Sequence, residues 1–511
     1  MSDQVDTSAA LNLADPAVPP GSADGHEASI GRRAGRGFGW ALAGNLVFKA
    51  GSFVISLVLV RLLAPHDFGL YAVALAANAF VIHVNDMGMI AATVQWRGEV
   101  KEMAATARTM ALGFSLTWYA LFWVAAPYIA DLAGSPDATP LVRLLTLTIV
   151  LDGITAVSVG VIQRRFQQAA LMKAIAIGFV FSAVISVTLA ANGAGAYSFV
   201  LGTLAQSVVV GVLVLRIAHV PFRFGFDRAV ARRLITFGAP LAAGLGIESV
   251  LLYSDSMIVG HVLGTVVLGF YLLAFNVSSW VPGIVGTAVR YVSIPAFSRL
   301  AEGDADDLAH GVQRTLPLML AVVAPIAAVM AALSPALVHV LYGAHWAPAA
   351  DALRFLAFVM VARMFTALVF DIQTGLGNTR VTVWLNLAWL AALLPALWIG
   401  ANAGGMRGAA VGHAIVAIVV AIPLAGWLLH RAGVDMVPVV RSIVRPVLAA
   451  VVAGLTMAAV ARPIDSPLAE LVIAGGVGGV LYLLLAFRAE GRAAARAWAG
   501  SFLAARRGAK A

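Results

Sequence analysis

Residues 61–71 read RLLAPHDFGLY, and residues 261–271 read HVLGTVVLGFY. A leucine, a glycine and a tyrosine recur at matching positions of the two segments, namely Leu63, Gly69 and Tyr71 against Leu263, Gly269 and Tyr271. A second echo pairs residues 191–202 with residues 401–412, because both begin Ala-Asn and end in glycine. Each segment joins two long apolar stretches, so the two echoes predict a duplicated bundle of membrane helices, a recurring plan of secondary transporters.

The composition of the chain places it among membrane proteins. Of its 511 residues, 61% are hydrophobic and 12% are charged, whereas a soluble domain carries roughly 25% charged and 45–50% apolar residues. The absence of cysteine rules out disulfides and thiolate metal sites. We therefore predict an all-α polytopic membrane protein. Residues 1–30 are polar and have no apolar signal-peptide core, so we expect a disordered tail there.

Apolar stretches long enough to cross a membrane define the predicted organisation. A spanning helix needs about 20 apolar residues, and about fourteen stretches qualify: 38–60, 69–95, 104–130, 141–162, 174–191, 196–215, 234–260, 267–297, 315–333, 350–374, 381–400, 407–429, 442–461 and 467–487. Prolines interrupt the chain near 281–297 and 330–350. The echoes then predict these parts: a tail 1–30, a six-helix bundle 31–215, a basic linker 216–233, a second six-helix bundle 234–430, two further helices 431–487 and a basic tail 488–511.

The distribution of basic residues predicts the orientation of the chain. If both tails lie on one side, 25 of the 34 lysines and arginines fall on that side and five on the other, while four lie within helices. Because cytoplasmic loops are enriched in Lys and Arg, both tails and the linker 216–233 are predicted to be cytoplasmic. The two echo segments at 61–71 and 261–271 would then lie at the outer side.

Short motifs in order along the chain resemble one known family. Residues 61–71 resemble the connection after the first helix of bacterial polysaccharide flippases, a family of the multidrug/oligosaccharidyl-lipid/polysaccharide exporter superfamily. The further segments that resemble this family are Asp86-Met-Gly88 with Ala91, Ala92 and Gln95, then Pro295-Ala-Phe-Ser-Arg-Leu300, Leu341-Tyr-Gly-Ala-His-Trp346 and Gly375-Leu-Gly-Asn378. Together they extend from the first predicted helix to the start of the eleventh.

The resemblance implies a function in polysaccharide biosynthesis. Such a protein moves a polyprenyl-pyrophosphate-linked oligosaccharide unit across the bacterial inner membrane by alternating access, for exopolysaccharide or O-antigen-type polymers. Its implied partners are this lipid-linked oligosaccharide, membrane lipids, and a polysaccharide polymerase and export proteins; no nucleic acid or cofactor is expected. The alternative is a cation-coupled multidrug antiporter of the same superfamily. We expect no enzyme, since the outer connections hold no grouping of nucleophile and base. A phosphate-binding Gly-x-x-x-x-Gly-Lys-Ser/Thr motif is also absent.

Basic residues at membrane depth are the candidate substrate-binding groups, because burying a charge in lipid is costly. Asn45 and Lys49 fall on one face of the first predicted helix, in line with two serines. Lysine binds phosphate as a point charge, and arginine binds it through two donors. We predict that Lys49, Arg290 and Arg363, with Asn45, bind the anionic head group. The alternative for each base is a structural ion pair with a buried acid.

Three acids are the candidate ion-coupling groups. Glu248 and Asp255 lie two helical turns apart in the seventh predicted helix, and two carboxylates in lipid need cations or basic partners. They would suit a proton or sodium site, or equally pair with Arg290 or Arg363. Asp86 could titrate during transport, or could serve a structural role in the family-like Asp-x-Gly element.

Two further expectations concern residues outside the predicted site. Arg108 lies near the cytoplasmic boundary of its helix, so we expect its head group to reach water. Tryptophans near helix ends are expected to anchor the protein at the membrane surface, namely Trp40, Trp96, Trp346 and Trp398.

Overall fold

The computed structural model describes residues 49, 51–85, 89–96, 100–165, 167–283, 305–376 and 379–487. These residues form seventeen α-helices, numbered here in chain order: α1 (Gly51–Leu62), α2 (Pro65–Asn85), α3 (Met89–Gln95), α4 (Val100–Leu132), α5 (Thr139–Leu145), α6 (Leu147–Arg164), α7 (Gln168–Ala191), α8 (Tyr197–Ala218), α9 (Arg228–Leu263), α10 (Thr265–Val281), α11 (Ala305–Ala332), α12 (Ser334–Tyr342), α13 (Ala349–Gly375), α14 (Thr379–Val416), α15 (Ile422–Arg431), α16 (Met436–Ala461) and α17 (Pro467–Ala486).

The helices have the lengths of a polytopic membrane protein. Within the described ranges, nine helices are long and apolar enough to cross a membrane, and three shorter apolar helices accompany them. The predicted all-α membrane fold is therefore confirmed, while the total of fourteen spans stays a prediction. The proline-interrupted stretch near 330–350 contains only the short helix α12 and one 3-10 turn, Ala344–Trp346.

Glycines end or turn the helices at two of the predicted boundaries. Gly264 has a φ of 83° and separates α9 from α10, a conformation that L side chains rarely adopt. The long helix α14 departs from helical geometry at Gly404 and Gly405, where φ reaches 59° at Gly405. The chain turns back there, since Gly400 and Gly408 lie against each other's backbone. This turn separates the predicted spans 381–400 and 407–429.

Corresponding residues of the second echo make corresponding helix contacts. A Cβ on Gly202 of α8 would collide with the side chain of Ser186 on α7. A Cβ on Gly412 would collide with the backbone carbonyl of Ala396 across the turn of α14. Both pairs are sixteen residues apart and share one offset along the sequence. A small residue at each crossing lets the two helices approach closely, so the duplication read from the sequence is also a duplication of packing.

The first echo joins the two repeats directly. A Cβ on Gly69 of α2 would collide with the carbonyl of Thr265, and a Cβ on Gly269 of α10 would collide with the carbonyl of Pro65. Pro65 and Thr265 are themselves equivalent positions of the repeat. The contact is therefore reciprocal, as expected when two copies of one segment meet about an approximate two-fold axis. We call this contact the glycine junction.

Candidate functional site

A buried tryptophan covers the glycine junction. Trp346 is 1% exposed, and its indole N–H donates to the carbonyl of Val60 at 3.1 Å. Its ring lies edge-on to Phe68 and Phe270, with centroids 4.9 and 5.8 Å away. Two motifs that resemble the flippase family, 61–71 and 341–346, thus meet the repeated segment 261–271 in one place. The prediction that Trp346 anchors the membrane surface is wrong, because its ring fills the space between the two repeats.

The first repeat brings Lys49 to the broken end of α10. Lys49 is exposed, and its Nζ approaches Gly283 so closely that a Cβ there would lie 2.9 Å away. One turn further along α1, Phe53 packs edge-on against Trp280 at 4.3 Å. Lys49 therefore belongs to the first repeat and contacts the second, at the Pro282–Gly283 interruption.

Arg363 reaches the same side of α10 from α13. Its Nη1 donates to the Ser279 hydroxyl at 3.2 Å, and its guanidinium lies 5.3 Å from the centre of the Phe275 ring. Phe275, Ser279 and Gly283 are each four residues apart, so they lie along one side of the helix. Two of the three predicted anion-binding bases thus line one side of α10, which we call the basic stripe.

Asp255 lies in a buried polar cluster of the second repeat. It is 2% exposed, so its carboxylate is shielded from water. The Tyr271 hydroxyl lies against its carboxylate, and Oδ2 is 3.8 Å from Nδ1 of His413. We call Asp255, Tyr271 and His413 the polar cluster; they come from α9, α10 and α14. Arg363 is close enough to interact electrostatically with both Asp255 and His413, so the basic stripe and the polar cluster adjoin.

The first repeat has an equivalent cluster without charge. The Tyr71 hydroxyl contacts the Thr203 side chain, and its ring stacks on Phe199 at 4.5 Å. Tyr71 corresponds to Tyr271, Thr203 to His413 and Ile55 to Asp255 at the offsets of the two echoes. The duplicated frame thus carries an acid and a histidine in one copy only.

The structure gives no side-chain contacts for the other predicted site residues. Asn45, Asp86 and Arg290 lie outside the described residues, and Glu248 lies in α9 with no description of its side chain. Among the described side chains, no three His, Asp or Glu residues are grouped to hold a metal ion. His413 and Tyr271 were not predicted as site residues, although the echoes place both at positions that correspond to polar residues of the first repeat.

A largely apolar cavity lies on the face of α13 opposite Arg363. It has a volume of about 540 Å³ and is lined by α11, α13, α15, α16 and the π-helical turn Ala417–Ala421, with Arg354 as its charged residue. Phe355 and Phe358 of α13 line it, with aliphatic residues from the other elements. Because α13 also carries Arg363, one helix connects a charged surface to an apolar one.

The fold resembles two solved transporters. The lipid II flippase MurJ in an inward closed conformation superposes with a TM-score of 0.73 at 13% identity, covering 86% of this chain and 97% of that one. An inward-facing multidrug resistance MATE family transporter of the MOP superfamily gives a TM-score of 0.57 at 16% identity, covering 77% and 98%. At these identities the likeness concerns the fold alone.

Curated relatives match over most of their length. The succinoglycan biosynthesis transport protein ExoT of Rhizobium meliloti (strain 1021) is 26% identical over 469 residues, 89% of this chain and 93% of the relative. The lipopolysaccharide biosynthesis protein WzxC of Escherichia coli (strain K12) is 23% identical over 385 residues, 74% and 77%. A family model described as polysaccharide biosynthesis protein matches residues 58–351. Since this match covers more than half of the 511 residues, the chain is a multi-pass membrane protein that belongs to the polysaccharide biosynthesis protein family.

Proposed function

We propose that this protein translocates polyprenyl-pyrophosphate-linked oligosaccharide units across the bacterial inner membrane, with both termini in the cytoplasm. The observation that carries the proposal is the basic stripe, to which the two repeats contribute Lys49 and Arg363. A pyrophosphate bound there would contact both repeats at once. Relative movement of the repeats would then change its surroundings, as alternating access requires. A cationic drug would be repelled by the same two bases, so the antiporter alternative is less favoured.

The glycine junction supports a direction for this movement. It joins the repeats at the side that the charge distribution predicts to be outer, and Trp346 covers it. Separation of α2 from α10 at this junction would open the basic stripe to the outer side. The apolar cavity on the other face of α13 supports contact with the polyprenyl chain, since it offers an apolar surface on the helix that carries Arg363. Transport by this route needs no catalytic group, and we infer that the chain is not an enzyme.

We also propose that the polar cluster couples transport to a cation. Asp255 could exchange a proton with His413 or Tyr271, or could bind sodium. The resulting change in charge would act electrostatically on Arg363, which belongs to the basic stripe. Coupling of this kind requires that cation binding and substrate binding alter each other's free energy. The 3.8 Å approach of Asp255 to His413, together with the electrostatic interaction of both with Arg363, supports such a physical route.

The function is tested by reconstituting the purified protein in vesicles that contain a fluorescent polyprenyl-pyrophosphate-linked saccharide. Its appearance in the opposite leaflet is followed with an impermeant quencher. Lys49→Gln and Arg363→Gln should each weaken saccharide binding roughly 10- to 100-fold, because each removes a charge-assisted contact of about 1.5–3 kcal/mol.

The matched controls are Arg61→Gln, at the far end of α1, and Arg314→Gln on α11, both exposed. They should leave translocation unchanged. Wild-type vesicles that do not move the saccharide faster than protein-free vesicles would disprove the proposed function. Translocation that persists with unaltered affinity in both stripe variants would disprove the role of the two bases.

A further inference from the structure

The linker between α8 and α9 presents phenylalanine side chains that nothing in the described structure covers. It runs from His219 to Asp227 without regular secondary structure and reads HVPFRFGFD. Phe224 is 56% exposed and Phe226 is 68% exposed, and Phe222 is half exposed. We call these three residues the aromatic face of the linker. Phe224 and Phe226 are two residues apart, so an extended backbone between them places both side chains on one side.

The linker is attached to α4 by its backbone. The Gly225 N–H donates to the Thr109 hydroxyl at 3.1 Å, and the Asp227 N–H donates to the Thr106 hydroxyl at 3.0 Å. Gly225 itself faces α4, since a Cβ there would lie 3.2 Å from the Ala105 methyl. The neighbouring Phe224 and Phe226 therefore point away from the bundle.

A buried arginine completes this attachment. Arg108 of α4 is fully buried, and its Nη1 donates to the carbonyl of Pro221 at 2.6 Å. Its guanidinium lies 4.5 Å from the centre of the Phe222 ring. The expectation that Arg108 extends to water is wrong, because the linker covers it and supplies a carbonyl in place of water. The attachment also pairs linker backbone groups, which lowers the cost of placing the linker near lipid.

Exposed arginines surround the aromatic face. Arg223 lies within the linker, and Arg228 and Arg232 lie on the first turns of α9. Asp227 is the acid between them, and its carboxylate accepts from the Ala229 and Val230 N–H groups as the N-cap of α9. Aromatic side chains flanked by arginines match the interface of an anionic leaflet, where the rings enter the boundary region and the cations meet lipid phosphates.

We propose that the α8–α9 linker docks on the anionic phospholipid surface of the leaflet it faces, with Phe224 and Phe226 inserted and Arg223, Arg228 and Arg232 on the head groups. This interaction is separate from substrate binding. It would hold the connection between the two repeats at the membrane surface while the repeats move.

The absence of cysteine makes a site-specific test direct. A single cysteine is introduced as Phe224→Cys or Phe226→Cys, labelled with an environment-sensitive fluorophore, and reconstituted in nanodiscs of phosphatidylcholine with increasing phosphatidylglycerol. Asp137→Cys, in an exposed turn at the opposite end of the fold, is the water-exposed control. We expect labels at 224 and 226 to be quenched by head-group-labelled lipid and protected several-fold from iodide, increasingly so as phosphatidylglycerol rises.

A second variant separates charge from apolar insertion. The triple variant Arg223→Gln, Arg228→Gln and Arg232→Gln retains the aromatic face, and should remove the dependence on phosphatidylglycerol. Dependence that persists in this triple variant would contradict the role of the arginines. Labels at 224 and 226 that are as accessible to iodide as the label at 137, in every lipid mixture, would overturn the proposal. Because the nanodiscs contain no partner protein, a linker whose natural partner is a protein would give that same result.

Discussion

At the scale of single residues, the glycine junction and the polar cluster depend on residues that few substitutions can replace. Gly69 and Gly269 have no space for a Cβ, so their contact sets how closely the repeats approach. Asp255 is buried beside His413 and Tyr271, so water screens its charge little and a change there acts on its neighbours. The sequence identified Gly69, Gly269 and Asp255 as notable residues, because glycine repeats and acids in apolar segments are visible without a structure. It could not identify His413, since a lone histidine carries no such signal.

The replacement Gly69→Ala should destabilise the protein. Its methyl group would collide with the Thr265 carbonyl, and overpacking of this kind costs about 1–3 kcal/mol. The midpoint of thermal unfolding in detergent should fall accordingly. Gly113→Ala is the matched control, because a Cβ at this helical position meets nothing within 4 Å. Equal unfolding midpoints for the two variants would contradict this prediction, because they would show that α2 and α10 can move apart at the junction without loss of stability.

The replacement Asp255→Asn should uncouple transport from its driving ion. The amide keeps the shape of the carboxylate and removes its charge, so saccharide binding at the basic stripe should persist. The rate of translocation should no longer rise when a proton or sodium gradient is imposed on the vesicles. Asp351→Asn, an exposed site on α13, should respond to the gradient as wild type does. A full response in Asp255→Asn would refute the coupling proposal.

At the scale of helices and their connections, side chains determine where irregular segments lie. The linker 219–227 has no regular secondary structure, and three side chains within about one turn of α4 hold it. The sequence predicted a basic linker here, because five arginines fall between two apolar stretches. It did not predict the attachment, since Arg108 and Pro221 are 113 positions apart in the sequence and meet only in the folded chain.

The replacement Arg108→Ala should release the linker from α4. A hydrogen bond to a charged donor contributes about 1.5–3 kcal/mol, so local opening should become at least roughly tenfold more frequent. Limited trypsin digestion should then cleave faster after Arg223 and Arg228. Thr117→Ala is the control, because its hydroxyl bonds only to its own helix at Gly113. Unchanged cleavage in Arg108→Ala would mean that Thr106 and Thr109 suffice.

At the scale of the whole molecule, alternating access predicts that the repeats separate at the outer side. Ser135, in the turn after α4, and Thr265, at the start of α10, have hydroxyl oxygens 2.7 Å apart. These residues belong to different repeats and lie beside the glycine junction. A covalent bond between them would therefore test the movement without altering the basic stripe.

The double variant Ser135→Cys with Thr265→Cys should form a disulfide on oxidation and stop translocation, and reduction should restore it. The native chain has no cysteine to interfere. The control pair is Asn78→Cys with Thr148→Cys, whose side chains are in contact within the first repeat. Cross-linking of the control pair should leave translocation intact. Full transport by the oxidised Ser135–Thr265 pair would exclude opening at this junction.

Composition and periodicity were sufficient to predict a helical membrane protein, its duplication and the residues that merit study, because hydropathy, turns and repeats are properties of short segments. Folding decided which of those residues meet. It placed Trp346 between the repeats, covered Arg108 with the linker, and brought His413 to within 3.8 Å of Asp255. These contacts join helices distant in the sequence. They depend on which faces pack together, and no local pattern in the chain specifies that.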